Sequence, residues 1–284
     1  MSFRLPELRG RNVSNNAIAP TLLALLLVLI PTIPITWILL GSVKSRGRII
    51  SNPLGLPETW HWDNFIAAWE GGNFSTYFVN SVLVVVPVVV SILVLSLFAS
   101  YAFALMSFRG RDMLFILFLA GLTIPLAVLI IPLFYEMLAL KLLNTLWALI
   151  LPQIAVALPF SILLLHSFIR DLPREILDSG RIDGCTSFGL LRYIVAPLCR
   201  PALLTLLVFN FMWTWNQFLL PIMLIQEDSK RTLPVGLNFF QGQYANDVPL
   251  MMAGATITFL PIVIIYVIFQ RHFIQGIAAG ALKS

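Results

Sequence analysis

Four lysines could serve a phosphate-binding loop: Lys44, Lys141, Lys230 and Lys283. None ends the G-x-x-x-x-G-K-[ST] frame whose backbone amides cradle a nucleotide's phosphates. ATP hydrolysis by that route is therefore not expected. His61, His166 and His272 stand on separate segments, and His166 reads as a hydrogen-bonded packing residue. Cys185 and Cys199 cannot make a zinc site by themselves. They read as small apolar residues, and no metal site is expected. Two groups remain. One is the charged stretch from Asp171 to Pro201, DLPREILDSGRIDGCTSFGLLRYIVAPLCRP. The other is the pair Asn216 and Gln217, polar amides beside Trp213 and Trp215 in an otherwise apolar run.

The charged stretch reads as helix–turn–helix. Asp171 complements a positive helix end, and Pro173 is tolerated in a first turn. The helix continues through Glu175, Ile176, Asp178 and Arg181 to Asp183-Gly184, where glycine can adopt the left-handed backbone that ends a helix. Thr186 or Ser187 caps a second helix that gathers Phe188, Leu191, Ile194 and Val195 on one face. Pro197 and Pro201 punctuate its end. Such a hairpin can insert apolar side chains into a partner's groove, or rest on lipid head groups.

The elements that hold these groups follow from where charge is missing. The chain has 284 residues, 59% hydrophobic and 11% charged, against about 25% charged in an ordinary soluble domain. Charge-free gaps run from Arg11 to Lys44, Glu70 to Arg109, Asp112 to Glu136, Lys141 to Arg170, Arg200 to Glu227 and Asp247 to Arg271. Each holds at least 23 uncharged residues, and about 20 apolar residues cross the hydrocarbon as a helix. Six spans are expected, near 20–40, 78–106, 113–135, 146–169, 202–225 and 252–271. Runs such as Val82 to Val90 are apolar all round, which argues against the alternating strands of a barrel. The first span exceeds the 7–15 residues of a signal-peptide core and reads as a retained helix.

Six spans put both termini on one side, with 12 basic residues there and 6 on the other. Excess lysine and arginine marks the cytoplasmic face, although Lys44, Arg46 and Arg48 lie against the trend. The same bias explains the basic pI of 9.5 without a nucleic-acid partner. No acidic or basic residue falls near the centre of any expected span. Ion-coupled carriers usually keep ionisable groups or broken helices there, so an uncharged, hydroxyl-rich solute moved by outside energy is favoured. Prolines in every span, among them Pro87, Pro125, Pro132, Pro159 and Pro221, imply kinked helices.

The string Asp178-Ser179-Gly180-Arg181-Ile182-Asp183-Gly184-Cys185, with Pro197 thirteen residues after the glycine, resembles the E-A-A-x-x-D-G-A…P signature of ABC importer permeases. Asp178 replaces the usual glutamate, and Ser179, Gly180 and Cys185 replace alanines. Leu56-Pro57-Glu58-Thr59-Trp60, Phe108-Arg109-Gly110-Arg111, Trp215-Asn216 with Phe218, Arg231-Thr232-Leu233-Pro234, Gln241-Gly242-Gln243-Tyr244 and the tail from Gly276 to Lys283 are similar to the carbohydrate branch, in the manner of the second permease of a maltose-type transporter.

The resemblance implies an all-α integral membrane fold: six transmembrane helices with a cytoplasmic coupling helix between helices 4 and 5. It implies a cytoplasmic tail over residues 1–19, one permease domain over 20–284, and a coupling loop over 171–201. The partners implied are a homologous second permease, two cytoplasmic ATPase subunits that use ATP and Mg, an extracytoplasmic solute-binding protein, a sugar and membrane lipid. The chain itself would bind no cofactor and catalyse no reaction, and its place would be a bacterial-type inner membrane. Asp178, Gly180, Asp183 and Gly184 would hold the docking helix and its turn. The outer loop from Gln226 to Leu250 would meet the solute-binding protein. Asn216 and Gln217 would hydrogen-bond a sugar while Trp213 or Trp215 covers its apolar face, or else would bond a neighbouring helix. Outside this family, a stand-alone carrier or channel for a small polar solute is the other reading.

Overall fold

The computed structural model describes residues 18–237 and 247–281, with side chains for 20–237 and 247–270. Most of the N-terminal tail, the Gln241-Gly242-Gln243-Tyr244 string and Lys283 lie outside the described residues. Among the described residues every regular element is helical. In chain order they include α1 (Ile18–Ser42), α2 (Arg46–Ser51), α3 (Asp63–Gly71), α4 (Phe74–Leu105), α5 (Arg111–Ala120), α6 (Leu126–Ala139) and α7 (Trp147–Arg170). Then come α8 (Arg174–Ile182), α9 (Ser187–Leu198), α10 (Arg200–Trp215), α11 (Leu219–Leu224) and α12 (Val248–Ala281).

Four helices are long and apolar enough to cross a bilayer unbroken: α1, α4, α7 and α12. The expected third and fifth spans are not straight rods. α5 continues as a 3₁₀ turn over Gly121–Thr123 and then meets α6 at 104°. The cause is local. Ile124 precedes Pro125, whose ring disfavours the helical region for its neighbour, and Ile124 is extended at φ −95°, ψ 111°. Pro132, inside α6, breaks nothing. The expected fifth span, 202–225, is broken between α10 and α11, and just before it α9 meets α10 at 73° around Cys199, between Pro197 and Pro201. The turn before Pro197, Leu191–Val195, is widened to a π-helix, an arrangement that moves carbonyls away from the proline ring. α10 then ends at Trp215, and the chain passes through Asn216, Gln217 and Phe218 before α11 resumes. With each bent pair taken as one span there are six.

The spine is α4 against α7, where Val84, Val88 and Ile92 meet Ala148, Leu149 and Ile150 in one buried cluster. Each helix also buries a few polar residues, and these scattered hydroxyls and amides serve as links between helices. Ser100 donates to the Ile162 carbonyl at 2.9 Å, Asn210 to Ser161 Oγ at 3.2 Å, and Trp215 Nε1 to the Thr258 carbonyl at 2.9 Å. These bonds tie α4 to α7, α10 to α7 and α10 to α12. α1 is apolar all round and exposed along its transmembrane length in the single chain, as a helix facing lipid or a second subunit would be. Only its end is buried, with Gly41 set closely against Met252 of α12.

Beyond that end Lys44 is 1% exposed, and its ammonium donates to the carbonyls of Asn52 and Pro53 at 3.0 Å each. Burial, with the nearby Arg48 charge, holds its pKa below the ordinary 10.5. Asn64 donates to the Ser42 and Lys44 carbonyls at 2.8 and 3.0 Å, so the segment from Lys44 to Asn64 folds back on the helix end. Lys44→Met should remove both bonds, leaving the Asn52 carbonyl without this donor and the Pro53 carbonyl with Trp37 Nε1 alone, at a cost of about 1–3 kcal/mol. The expected result is faster limited proteolysis within residues 45–62 and unchanged cleavage in the α8–α9 region.

Candidate functional site

The helix–turn–helix lies where the charge pattern places it. α8 begins after Pro173, which sits just before the first turn rather than in it. The helix ends in a Schellman motif: Cys185 N donates to the Gly180 carbonyl at 3.0 Å and Gly184 N to the Arg181 carbonyl at 3.1 Å. Gly184 takes φ +81° to make this possible. Thr186, and not Ser187, is the cap of α9, its Oγ1 accepting from Gly189 N at 3.1 Å. Along α8, Asp178 pairs with Arg181 at 2.9 Å, and the Ser179 hydroxyl donates to the Ile176 carbonyl at 2.9 Å. The pair is exposed and worth only a few tenths of a kcal/mol, about 0.3–0.5 for such helix pairs. It orders a side chain more than it holds the turn.

Packing holds the turn. Leu177, Leu190, Leu191 and Val195 join Leu165 and Ile169 of α7, Tyr101 of α4 and Leu206 of α10 in one buried cluster. Gly180 is buried against the tips of Ile194 and Leu190, so α8 rests on α9 with no side chain between them there. Cys199 is buried, Cys185 half-buried, and Pro197 exposed. Leu191 and Val195 turn inward as the periodicity predicts, whereas Phe188 is exposed and stacks on Phe98 of α4 at 6.4 Å. What the hairpin presents outward is Ile182, 85% exposed, with Ile176, Asp183 and Gly184. An apolar tip on a base packed into three long helices can transmit a push without yielding. His166, nearby on α7, packs on the Phe115 ring at 4.2 Å.

The second group is dispersed. Trp215 is 2% exposed, its indole N–H occupied by α12 and its ring between Phe211 and Phe78. Trp213 packs against the α4–α7 cluster. Asn216 is exposed and donates back to the Met212 carbonyl at 2.9 Å, terminating α10. Gln217 turns into a small cleft that also contains Ser81, Gln153, Thr214 and Thr232. Trp215→Phe should cost about 0.5–1.5 kcal/mol for its lost bond, read as a lower unfolding midpoint of the purified protein.

A third arrangement escaped the sequence reading. Asp228, at the start of a 3₁₀ turn (Asp228–Lys230), accepts from Tyr77 Oη at 2.9 Å, Asn73 Nδ2 at 3.4 Å and Arg231 at 2.9 Å. Asn80 donates to the carbonyls of Ser229 and Arg231 at 2.9 Å each, and Leu233 N donates to Ser81 Oγ at 2.8 Å. The Asn144 side chain accepts from Gln226 N and Glu227 N at 2.5 and 3.2 Å. The stretch 228–233 is thus clamped on the first two turns of α4, and residues 226–227 on Asn144 just before α7, opposite in the molecule to the hairpin. The α4 partners are 149–155 residues away and those of Asn144 82–83, and no local spacing signals them. A string of Asn73, Tyr77, Asn80 and Ser81, polar on one face of an apolar helix, was the available hint.

Residues 92–279 match the family described as binding-protein-dependent transport system inner membrane component. The chain is 35% identical over 269 residues to the diacetylchitobiose uptake system permease protein NgcG of Streptomyces coelicolor, covering 94% of this chain and 89% of that one. It is 33% identical over 271 residues to the arabinooligosaccharides transport system permease protein AraQ of Bacillus subtilis, covering 94% and 96%. Among solved structures, a chain of a bacterial ABC transporter involved in the import of the acidic polysaccharide alginate superposes with a TM-score of 0.77 at 21% identity, over 91% of this chain and 96% of that one.

Proposed function

The chain belongs to the family of binding-protein-dependent transport system inner membrane components, and on that premise we propose that it is a permease subunit of an ATP-driven importer of a sugar or oligosaccharide. It forms one half of the translocation pore and carries no ATPase site of its own. A homologous second permease supplies the other half, two cytoplasmic ATPase subunits bind ATP and Mg, and a solute-binding protein delivers sugar from outside. Both termini face the cytoplasm of a bacterial-type plasma membrane.

The observation that carries this reading is the rigid hairpin of α8 and α9. Its closed turn at Asp183-Gly184, its exposed Ile182 and its base in the cores of α4, α7 and α10 suit a lever moved from outside the chain. Closure of the ATPase pair would carry the hairpins together, and the bent spans would re-pack the pore from inward- to outward-facing. The clamp around Asp228 would hold the outer segment in place for the solute-binding protein. The names of the relatives support a carbohydrate as cargo.

The test is reconstitution in liposomes of the complex purified from its native host, with labelled oligosaccharides outside and ATP inside. Uptake that needs the ATPase subunits and the solute-binding protein is the expected result. Uptake by this chain alone, driven by an ion gradient or by none, would overturn the proposal in favour of a stand-alone carrier.

A further inference from the structure

The small cleft beside the break between α10 and α11 gathers three buried polar atoms that have no hydrogen-bond partner among the described residues. They are Gln153 Oε1 on α7, Thr214 Oγ1 in the last turn of α10, and Thr232 Oγ1 in the clamped outer segment. Their residues are 1%, 4% and 5% exposed. Buried side-chain oxygens are nearly always satisfied, so each one calls for a reason. Three facing one cleft call for a common one.

Thr214 is also unlike its neighbours. Thr205, Thr256 and Thr258, all within helices, give their hydroxyl protons to the carbonyl four residues back, at 3.0, 2.8 and 2.9 Å. Thr214 has the Asn210 carbonyl at that position and does not use it. The cleft has about 10 Å³ open to the centre of a water molecule, close to the roughly 10–15 Å³ that one water needs. Ser81, Val84, Val85, Trp215, Gln217 and Pro221 complete its wall, so it borders both the α10–α11 break and the first turns of α4.

We propose that this cleft is the binding site of a single internal water, which bridges Gln153, Thr214 and Thr232. Water has the required valence: it donates to the Gln153 carbonyl oxygen and accepts from a threonine hydroxyl, with a further bond for the second hydroxyl. Beyond the direct bond from Asn210 of α10 to Ser161 of α7, the bridge ties α7 and the last turn of α10 before its break to the outer segment that Asn80 and Ser81 fasten to α4. It sets the position of the break relative to the outer segment, and it does not rest on the importer reading.

The experiment is a structure of the full chain in its native complex at a resolution that resolves waters, together with a stability cycle on Gln153→Met, Thr214→Val and the double variant. The expected result is one ordered oxygen within about 3.2 Å of Gln153 Oε1, Thr214 Oγ1 and Thr232 Oγ1. It should be lost in the double variant, and the second substitution should lower the unfolding midpoint less than it does alone. Thr214→Ser keeps the hydroxyl and should retain the oxygen, which covers the case in which the apolar variants fail to fold. Direct bonds among the three side chains, no ordered oxygen between them, or strictly additive shifts would overturn the site.

Discussion

Gly184→Val is expected to leave the chain inserted in the membrane and to reduce ATP-driven uptake by at least about tenfold, the ratio that about 1.4 kcal/mol produces. The reason is backbone conformation, not crowding. Gly184 sits at φ +81°, and a methyl placed on it would meet nothing within 4 Å. A β-branched residue is a steric outlier in that region, at a cost on the order of 1–3 kcal/mol. The strain falls on the two Schellman bonds that close α8, because both require the left-handed residue between Asp183 and Cys185. Relief by opening the turn moves Ile182 and Asp183, the exposed tip, while the buried cluster of Leu177, Leu190 and Val195 stays. Gly184→Asn should restore much of the uptake, since asparagine tolerates the left-handed region. The measurements are the membrane-inserted level of each variant, its uptake in liposomes, and the amount of ATPase subunit recovered with it. Full uptake by the valine variant would remove the turn from the mechanism.

Asp228→Ala is expected to act at the opposite face, weakening productive engagement of the solute-binding protein about tenfold while leaving recovery of the ATPase subunits unchanged. The carboxylate collects Tyr77, Asn73 and Arg231. Tyr77 is 0% exposed, so loss of the Asp228 carboxylate strands its buried hydroxyl, and hydrogen bonds to charged groups are worth about 1.5–3 kcal/mol. The bond to Arg231 is more exposed and contributes less. Tyr77→Phe deletes one of the three bonds but keeps the ring that Gly236 packs against, and should show a smaller defect. Titration of transport with increasing solute-binding protein separates the two faces: Asp228→Ala should shift the half-saturating concentration, and Gly184→Val should lower the plateau.

Legibility in the sequence follows the range of the forces involved. The inner hairpin is written in local rules, with a glycine for the left-handed residue, a threonine for the cap and prolines at the exit, and each operates within five residues. Span number is similarly legible, because the absence of charge over 23 residues has one meaning in a bilayer. Direction is not. Pro125 and Pro132 lie in the same gap, yet only the former coincides with a 104° bend, since Ile124 adopts the extended backbone and residue 131 does not. Trp215 and Asn216 carry the polar handles expected of a solute path. One handle is occupied by the Thr258 carbonyl across a helix interface and the other by the Met212 carbonyl. The clamp on Asp228 joins positions about 150 apart, and the unpartnered trio of Gln153, Thr214 and Thr232 comes from three elements. Such groupings are set by tertiary packing, which local spacing does not encode.

In the proposed importer a motor outside this chain works on the tip of the α8–α9 hairpin. A photo-crosslinking residue placed at Ile182, 85% exposed, probes that contact in intact membranes. The expected product is a covalent adduct with a cytoplasmic ATPase subunit whose yield changes when ATP is added. Adducts with lipid alone, or labelling of that position by a reagent confined to the outside of the cell, would contradict it.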